Sequence, residues 1–243
     1  MKTGVRVCAV IVTFNPDIPR LLDNVRAVSQ QVDDLLIVDN GSMNRADFTE
    51  SLDKNAFIYS LISLDENKGI GLALNRAISF CKEREIEFLL TLDQDSIITN
   101  SLVDGLIETI NHDDNVAMVG PKILDVNETH INKQDDSVAE VIHLITSGAI
   151  CRISHLESVG MFNERLFIDC VDFDMSLKLI EYGYKVIRNN QLHLIHEIGR
   201  KQKKSIFTRN FYLLNHSETR VYYMVRNRIC IVRRYWNVKQ YRP

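Results

Sequence analysis

The sharpest chemical signal in this 243-residue sequence is Asp93-Gln94-Asp95, which follows the apolar run FLLTL. Two carboxylates two residues apart at the end of a buried strand are hard oxygen ligands. Mg²⁺ and Mn²⁺ take such ligands, with substrate phosphates completing the shell. The plainer reading is a turn or helix N-cap, because Ser96 and Thr99 lie beside them. A second acidic group lies in Phe167-Ile168-Asp169-Cys170-Val171-Asp172-Phe173-Asp174. Carboxylates among apolar neighbours lose hydration, which raises their pKa and makes them better general bases. Acids at a helix start also complement its dipole without doing any chemistry. His193 and His196 are expected in a loop after the last strand, where a His with two carboxylates could complete a metal or diphosphate site.

Asn67-Lys68-Gly69-Ile70-Gly71 opens a helical pattern, and its small residues would let backbone approach a phosphate at a helix N-terminus. It is not a dinucleotide fingerprint. Leu74 stands where a third small residue is needed, and the segment follows the third strand rather than the first.

These groups need a scaffold that brings them to one edge. Val5–Thr13, Leu35–Val38, Phe57–Leu64, Phe88–Leu92 and Val116–Val119 read as strands. Helical patterns lie between them, from Ile18 to Val28 and from Gly69 to Lys82. That alternation predicts a doubly wound, mostly parallel α/β sheet, and near-continuous apolar strands agree with burial on both faces. Turn residues end each of the first four strands: Thr13, Asn15 and Pro16; Asp39, Asn40, Gly41 and Ser42; Asn67 to Gly71; Asp93 to Ser96. One such cluster is an ordinary turn. Four at the carboxyl edge of one sheet mark the place where open α/β sheets bind ligands. Farther on, Val141–Arg152 reads as a strand or bent strand pair and Val171–Tyr182 as a helix stopped by Gly183. Lys185–Arg188 reads as a strand, Asn189–Lys204 as loop and Thr219–Tyr235 as a basic helix.

Composition is that of an ordinary globular chain, with 45% hydrophobic and 25% charged residues. Five cysteines with no C-x-x-C pair read as buried free thiols in a reducing, cytoplasmic setting. Neither a leader nor a membrane-spanning run is expected. Charge is uneven: residues 200–243 carry 12 Lys or Arg and one acid, whereas residues 1–199 carry 17 basic and 31 acidic residues. A basic tail on an acidic body suits an anionic surface, such as the inner face of the plasma membrane. Nucleic acid is not an expected partner of so acidic a body.

Taken in order, VIVTFNP (10–16), IVDNGS (37–42), NKGIGLALN (67–75), LDQDS (92–96), SGAICRI (147–153), FIDCVDFDMSLKL (167–179) and HLIHEIG (193–199) resemble glycosyltransferase family 2. Its fold is the GT-A fold. The DQD and VDFD variants and RVYYMVRNR (220–228) look more like the bacterial rhamnosyltransferases than like cellulose or chitin synthases. The resemblance implies a GT-A catalytic domain over residues 1–200 and a basic helical extension over 201–243. It implies that Thr13, Asn15 and Asp39 hold nucleobase and ribose, with Asn67, Lys68 and Gly69 beside them. Asp93 would contact ribose or metal, and Asp95 would ligate Mg²⁺ or Mn²⁺ with help from His196. Asp172 aligns with the catalytic base, although Val171 stands where many members have Glu, so Asp169 is the alternative. Arg226 is the tail cation expected to reach the donor diphosphate. The implied reaction is inverting transfer of a sugar, L-rhamnose from dTDP-L-rhamnose, to a saccharide or lipid-linked saccharide acceptor for a cell-surface polysaccharide. A UDP-hexose donor, or a binding protein that kept the fold and lost the chemistry, are the alternatives. A nucleotidyltransferase fits less well, because TFNPDIP lacks the glycine-rich basic loop expected after a first strand.

Overall fold

A computed structural model describes residues 5–125, 137–196, 202–206, 209–213 and 217–237, with side chains for 5–124, 137–195 and 217–237. Strands β1 (Val7–Thr13), β2 (Asp34–Asp39), β3 (Ser60–Ser63) and β4 (Phe88–Asp93) alternate with helices α1 (Ile18–Val28), α2 (Arg45–Lys54) and α3 (Ile70–Glu83). These four strands are parallel, in the order β3-β2-β1-β4. Their continuous apolar runs follow from burial on both faces. Along β1, Cys8 and Val10 face one core while Val7, Ala9 and Ile11 face the other. The first core is closed by α3, through Leu74, Ala77, Ile78 and Cys81. The second is closed by α1 and α2, through Leu21, Val25, Phe48 and Leu52. Each fully buried Leu or Val contributes roughly 1.5–3 kcal/mol. Helix α1 starts where expected, since Asp17 caps Arg20 N at 3.0 Å and a proline occupies its first turn.

Beyond β4 the sheet becomes mixed. It continues through β5 (Ile97–Ile98), α4 (Leu102–Ile110), β6 (Val116–Asp125), β7 (Val138–Glu140), β8 (Ala149–Arg152), α5 (Ile153–Ser158), α6 (Val171–Glu181) and β9 (Lys185–His196). β8 runs antiparallel between β4 and β6, and β9 is parallel to β6 but antiparallel to β5 and β7. Three expectations change here. Residues 141–148 form no strand, and the strand of this region is confined to β8. The segment expected as loop from Asn189 begins as strand, because β9 continues to His196. His193 and His196 therefore lie on a strand, paired in register with Lys122 and Asp125 of β6. The period-2 signal there was masked by Asn189, Asn190 and Gln191, which sit beside an irregularity in the β6–β9 register. A hairpin of β10 (Gln202–Ile206) and β11 (Arg209–Leu213) precedes the long helix α7 (Glu218–Tyr235). Helix α7 packs on α6 through Ile231 and Tyr235 against Leu177.

Candidate active site

Register decides what meets at the carboxyl edge. Thr13 pairs with Asp39 across β1 and β2, and Val12 pairs with Asp93 across β1 and β4. Asp39 is fully buried and accepts from Thr13 Oγ1 at 3.2 Å and from Ser42 N at 3.2 and 3.3 Å. Asn15, held at φ +48°, ties the β1 and β2 turns together. Its N–H donates to Ser42 Oγ and its Oδ1 accepts from Met43 N, both at 2.8 Å. Buried Asn40 links the next turn, donating to Asn67 Oδ1 at 3.0 Å and accepting from Lys68 N at 2.9 Å. A cavity of about 350 Å³ opens beside this framework, with Thr13, Asn40, Asn67, Gly69, Asp93 and Arg220 on its walls.

Asp93, Gln94 and Asp95 are half-buried, and hydrogen bonds to backbone and side chain hold the segment. Asp93 N donates to Ser147 Oγ at 3.1 Å, Asn24 Nδ2 donates to Asp93 O at 2.8 Å, and Arg20 Nε donates to Asp95 O at 2.9 Å. Gln94 Oε1 accepts from Phe14 N at 2.8 Å, closing β4 onto the β1 turn. Ser147 is brought here by the turn before β8, where Gly148 at φ +79° donates to Thr91 O at 2.7 Å.

The amides at the start of α3 are already used inside the protein. Asn40 takes Lys68 N, Asn67 takes Gly69 N at 3.0 Å, and Phe167 O takes Ile70 N at 2.8 Å. Those three amides form no phosphate cradle. Gly69, at φ +87°, is required for another reason. A Cβ there would stand 2.6 Å from Phe167 O and 2.7 Å from its Cα. The loop it touches is itself strained. Phe167, Asp169 and Cys170 have φ of 62°, 63° and 62°, and Ile168 N closes a three-residue turn onto Leu166 O at 2.7 Å. Such conformations cost about 1–3 kcal/mol each and persist where surrounding contacts hold them.

This loop delivers both candidate bases to a second cavity of about 420 Å³. Asp169, Cys170 and Asp172 line it, and it shares Ile70, Asp93 and Arg220 with the first. Asp172, in the first turn of α6, has its Oδ2 3.2 Å from Nε2 of His143, whose ring packs on Phe173. Asp169 is paired with Arg220 at 3.3 and 3.4 Å. The Cys170 thiol between them is pushed above its usual pKa by burial and then by the negative charges of Asp172 and Asp169.

Residues 8–168 match the family described as Glycosyl transferase family 2. The chain belongs to that family. It is 32% identical over 246 residues to the dTDP-rhamnosyl transferase RfbF of Shigella flexneri, covering 94% of this chain and 80% of the relative. It is 30% identical over 174 residues to the poly-beta-1,6-N-acetyl-D-glucosamine synthase of Staphylococcus aureus, covering 68% of this chain and 41% of that protein. Among solved structures it resembles GalNAc-T7 with UDP, GalNAc and Mn²⁺, at TM-score 0.72 and 14% identity, over 98% of this chain and 49% of that one. It also resembles the mannosyltransferase PcManGT from Pyrobaculum calidifontis with GDP-Man and Mn²⁺, at TM-score 0.64 and 17% identity, over 82% and 59%. The fold is GT-A, and the protein is a glycosyltransferase.

Within this glycosyltransferase, the expected site residues separate into those that meet and those that do not. Thr13, Asn67, Gly69 and Asp93 meet at the first cavity, with Asp39 and Asn15 bracing its floor, and Asp169 and Asp172 meet at the second. Asp95, expected as a metal ligand, lines neither cavity, and its backbone carbonyl accepts from Arg20 Nε at 2.9 Å. The Lys68 ammonium pairs with Glu66 instead of lining either cavity. Arg226 donates to the Arg165 carbonyl and lies 4.6 Å over the Tyr223 ring, so it lines neither cavity. Arg220 lines both. His196 ends β9, and its side chain lies outside the described residues. Sequence reasoning passed over His143, Arg220, Ser147 and Asn227 as functional positions. Ser147 carried a signal from its place in SGAICRI, and Arg220 and Asn227 from theirs in RVYYMVRNR, whereas His143 carried none.

Proposed function

We propose that this enzyme transfers L-rhamnose from dTDP-L-rhamnose to a hydroxyl of a saccharide or lipid-linked saccharide, inverting the anomeric carbon, in the making of a cell-surface polysaccharide. The observation that carries the reading is the junction of the two cavities at Asp93 and Arg220. One end offers Thr13, Asn40 and Asn67 to a nucleoside, and the other offers carboxylates to an acceptor hydroxyl. The donor assignment draws on the dTDP-rhamnosyl transferase of Shigella flexneri.

Among the described residues, no group of three or more His, Cys, Asp or Glu is placed to hold a metal ion. Asp93 and Asp95 would hold an ion that takes its other ligands from diphosphate and water, as Mg²⁺ and Mn²⁺ do. His196 is the further ligand implied by the family pattern. Such an ion offsets charge on the leaving diphosphate when bound. Asp172 accepts the acceptor hydroxyl's proton as the new C–O bond forms and the bond to the diphosphate breaks. His143 holds that carboxylate in place, and Asp169, tied to Arg220, is the alternative base. Arg220 takes the diphosphate-facing role expected of Arg226. Residues 1–200 act as the catalytic domain and 201–243 as an extension.

On the outer face of α7, Val221, Val225, Ile229 and Trp236 are exposed between Arg228 and Arg233. No helix among the described residues is long and apolar enough to cross a membrane. An apolar stripe edged by arginines suits peripheral contact with anionic lipid. Co-sedimentation with anionic vesicles at low salt, and none with neutral vesicles, is the expected result.

A donor panel tests the main reading, with binding and hydrolysis measured with and without Mn²⁺. dTDP-rhamnose is expected to bind more tightly than UDP-glucose or UDP-N-acetylglucosamine, and Asp95→Ala to abolish the metal dependence of donor binding. A preference for a UDP-hexose overturns the donor, and unchanged metal dependence in Asp95→Ala overturns the metal site.

A further inference from the structure

Asn227 lies on the inner face of α7 and is fully buried. Its amide donates to the carbonyls of Leu166 at 2.7 Å, Ile168 at 2.8 Å and Asp169 at 2.8 Å. The carbonyl between them, that of Phe167, accepts from Ile70 N at 2.8 Å. Four successive carbonyls are thus held, three of them by one side chain. This is the loop with three non-glycine residues at positive φ, a conformation that survives only when its surroundings over-determine it. A side-chain amide has two N–H groups, so three carbonyls at this distance share them, and no other neutral side chain of this size offers two donors from one nitrogen. Asn227 also lies outside residues 8–168, the part of the chain that matches the family.

We infer that Asn227 is a positioning residue for transfer. It holds the backbone of residues 166–169 so that Asp169 enters the acceptor-side cavity and α6 begins at Val171, which sets Asp172 in its first turn. Asn227 itself lines neither cavity. The catalytic half of this inference rests on the transfer reading above, whereas the clamp on the loop does not.

The test compares Asn227→Asp, which keeps the size but puts a carboxylate against three carbonyls, and Asn227→Ala with Tyr235→Phe. Tyr235 anchors the same helix through Asp174 Oδ1 at 2.9 Å, on α6 and not on the carbonyls of residues 166–169. Hydrogen exchange of the amides of residues 167–171 is measured beside steady-state transfer and dTDP binding. Both Asn227 variants are expected to raise loop exchange and lower kcat at least tenfold, with the Kd for dTDP held within twofold. Tyr235→Phe is expected to leave loop exchange and kcat unchanged while lowering Tm. Unchanged loop exchange in both Asn227 variants overturns the clamp, whatever the donor proves to be. Raised exchange with an unchanged kcat overturns its part in catalysis. Equal losses of dTDP binding and kcat in all three variants mark a general loss of fold and overturn the inference as well. If the wild-type chain transfers from no donor, the proposed function fails and takes the catalytic half with it, while exchange still decides the clamp.

Discussion

At the end of the site proposed for the nucleotide, Thr13, Asp39 and Asp93 stand where three adjacent parallel strands stop. At the acidic end, Asp169 and Asp172 hang on a strained loop whose carbonyls are caught by a helix side chain 58 to 61 residues later. The first arrangement is set by backbone register, so moving one residue means moving a strand and both cores packed on it. The second is set by a few side-chain contacts and can be loosened while the sheet stays intact. Binding of a nucleotide and transfer of its sugar should therefore respond to different mutations.

The strongest way to break this separation is Asp172→Asn. Transfer should fall by a factor of about 10² or more, as expected for loss of a general base, with nucleotide affinity kept. Near-normal transfer in that variant, with Asp169→Asn inactive, would move the base to Asp169. Equal loss of nucleotide binding would show that the two ends are one unit.

Gly69 is where the two ends touch. Gly69→Ala adds a Cβ into the Phe167 backbone at a φ that L residues avoid, so destabilisation by more than about 1 kcal/mol is expected in urea denaturation. A wild-type midpoint would mean that the Phe167 loop yields freely, and the contrast between a rigid and a loosely held end would sharpen further.

The smallest effect concerns thiols. Cys170 is partly buried beside the carboxylates, whereas Cys230 on α7 is exposed. Alkylation at pH 8 should modify Cys230 first, because burial and the neighbouring Asp172 and Asp169 keep Cys170 protonated beyond the usual 9.0. Faster reaction at Cys170, followed by mass spectrometry, would show that the loop opens more readily than its hydrogen bonds imply.

Much of the nucleotide end was legible because local chemistry writes it. A β-branched run that stops at Asn, Asp or Gly marks a strand end, and four such ends in alternation with helices place themselves at one edge of a sheet. The D-x-D and the acids around the start of α6 were visible for the same reason. Less of the second half could be read. β9 was cut short by its polar residues, and residues 141–148, which carry His143 and Ser147 to the site, have no regular period.

The sequence alone determined the parallel first half, the carboxylates at its edge, and a basic amphipathic helix near residues 219–235. Tertiary structure decided which of that helix's cations faces the site. Arg220 and Arg226 are six residues apart, and at about 100° per residue they point about 120° from each other. Only the docking of Asn227, Ile231 and Tyr235 sets the rotation that turns Arg220 to the cavities and Arg226 to the Arg165 carbonyl. The same holds for Gly69. Its sequence context suggested room for a phosphate, and the fold put the Phe167 backbone there instead, because a contact between residues about a hundred positions apart leaves no local pattern to read.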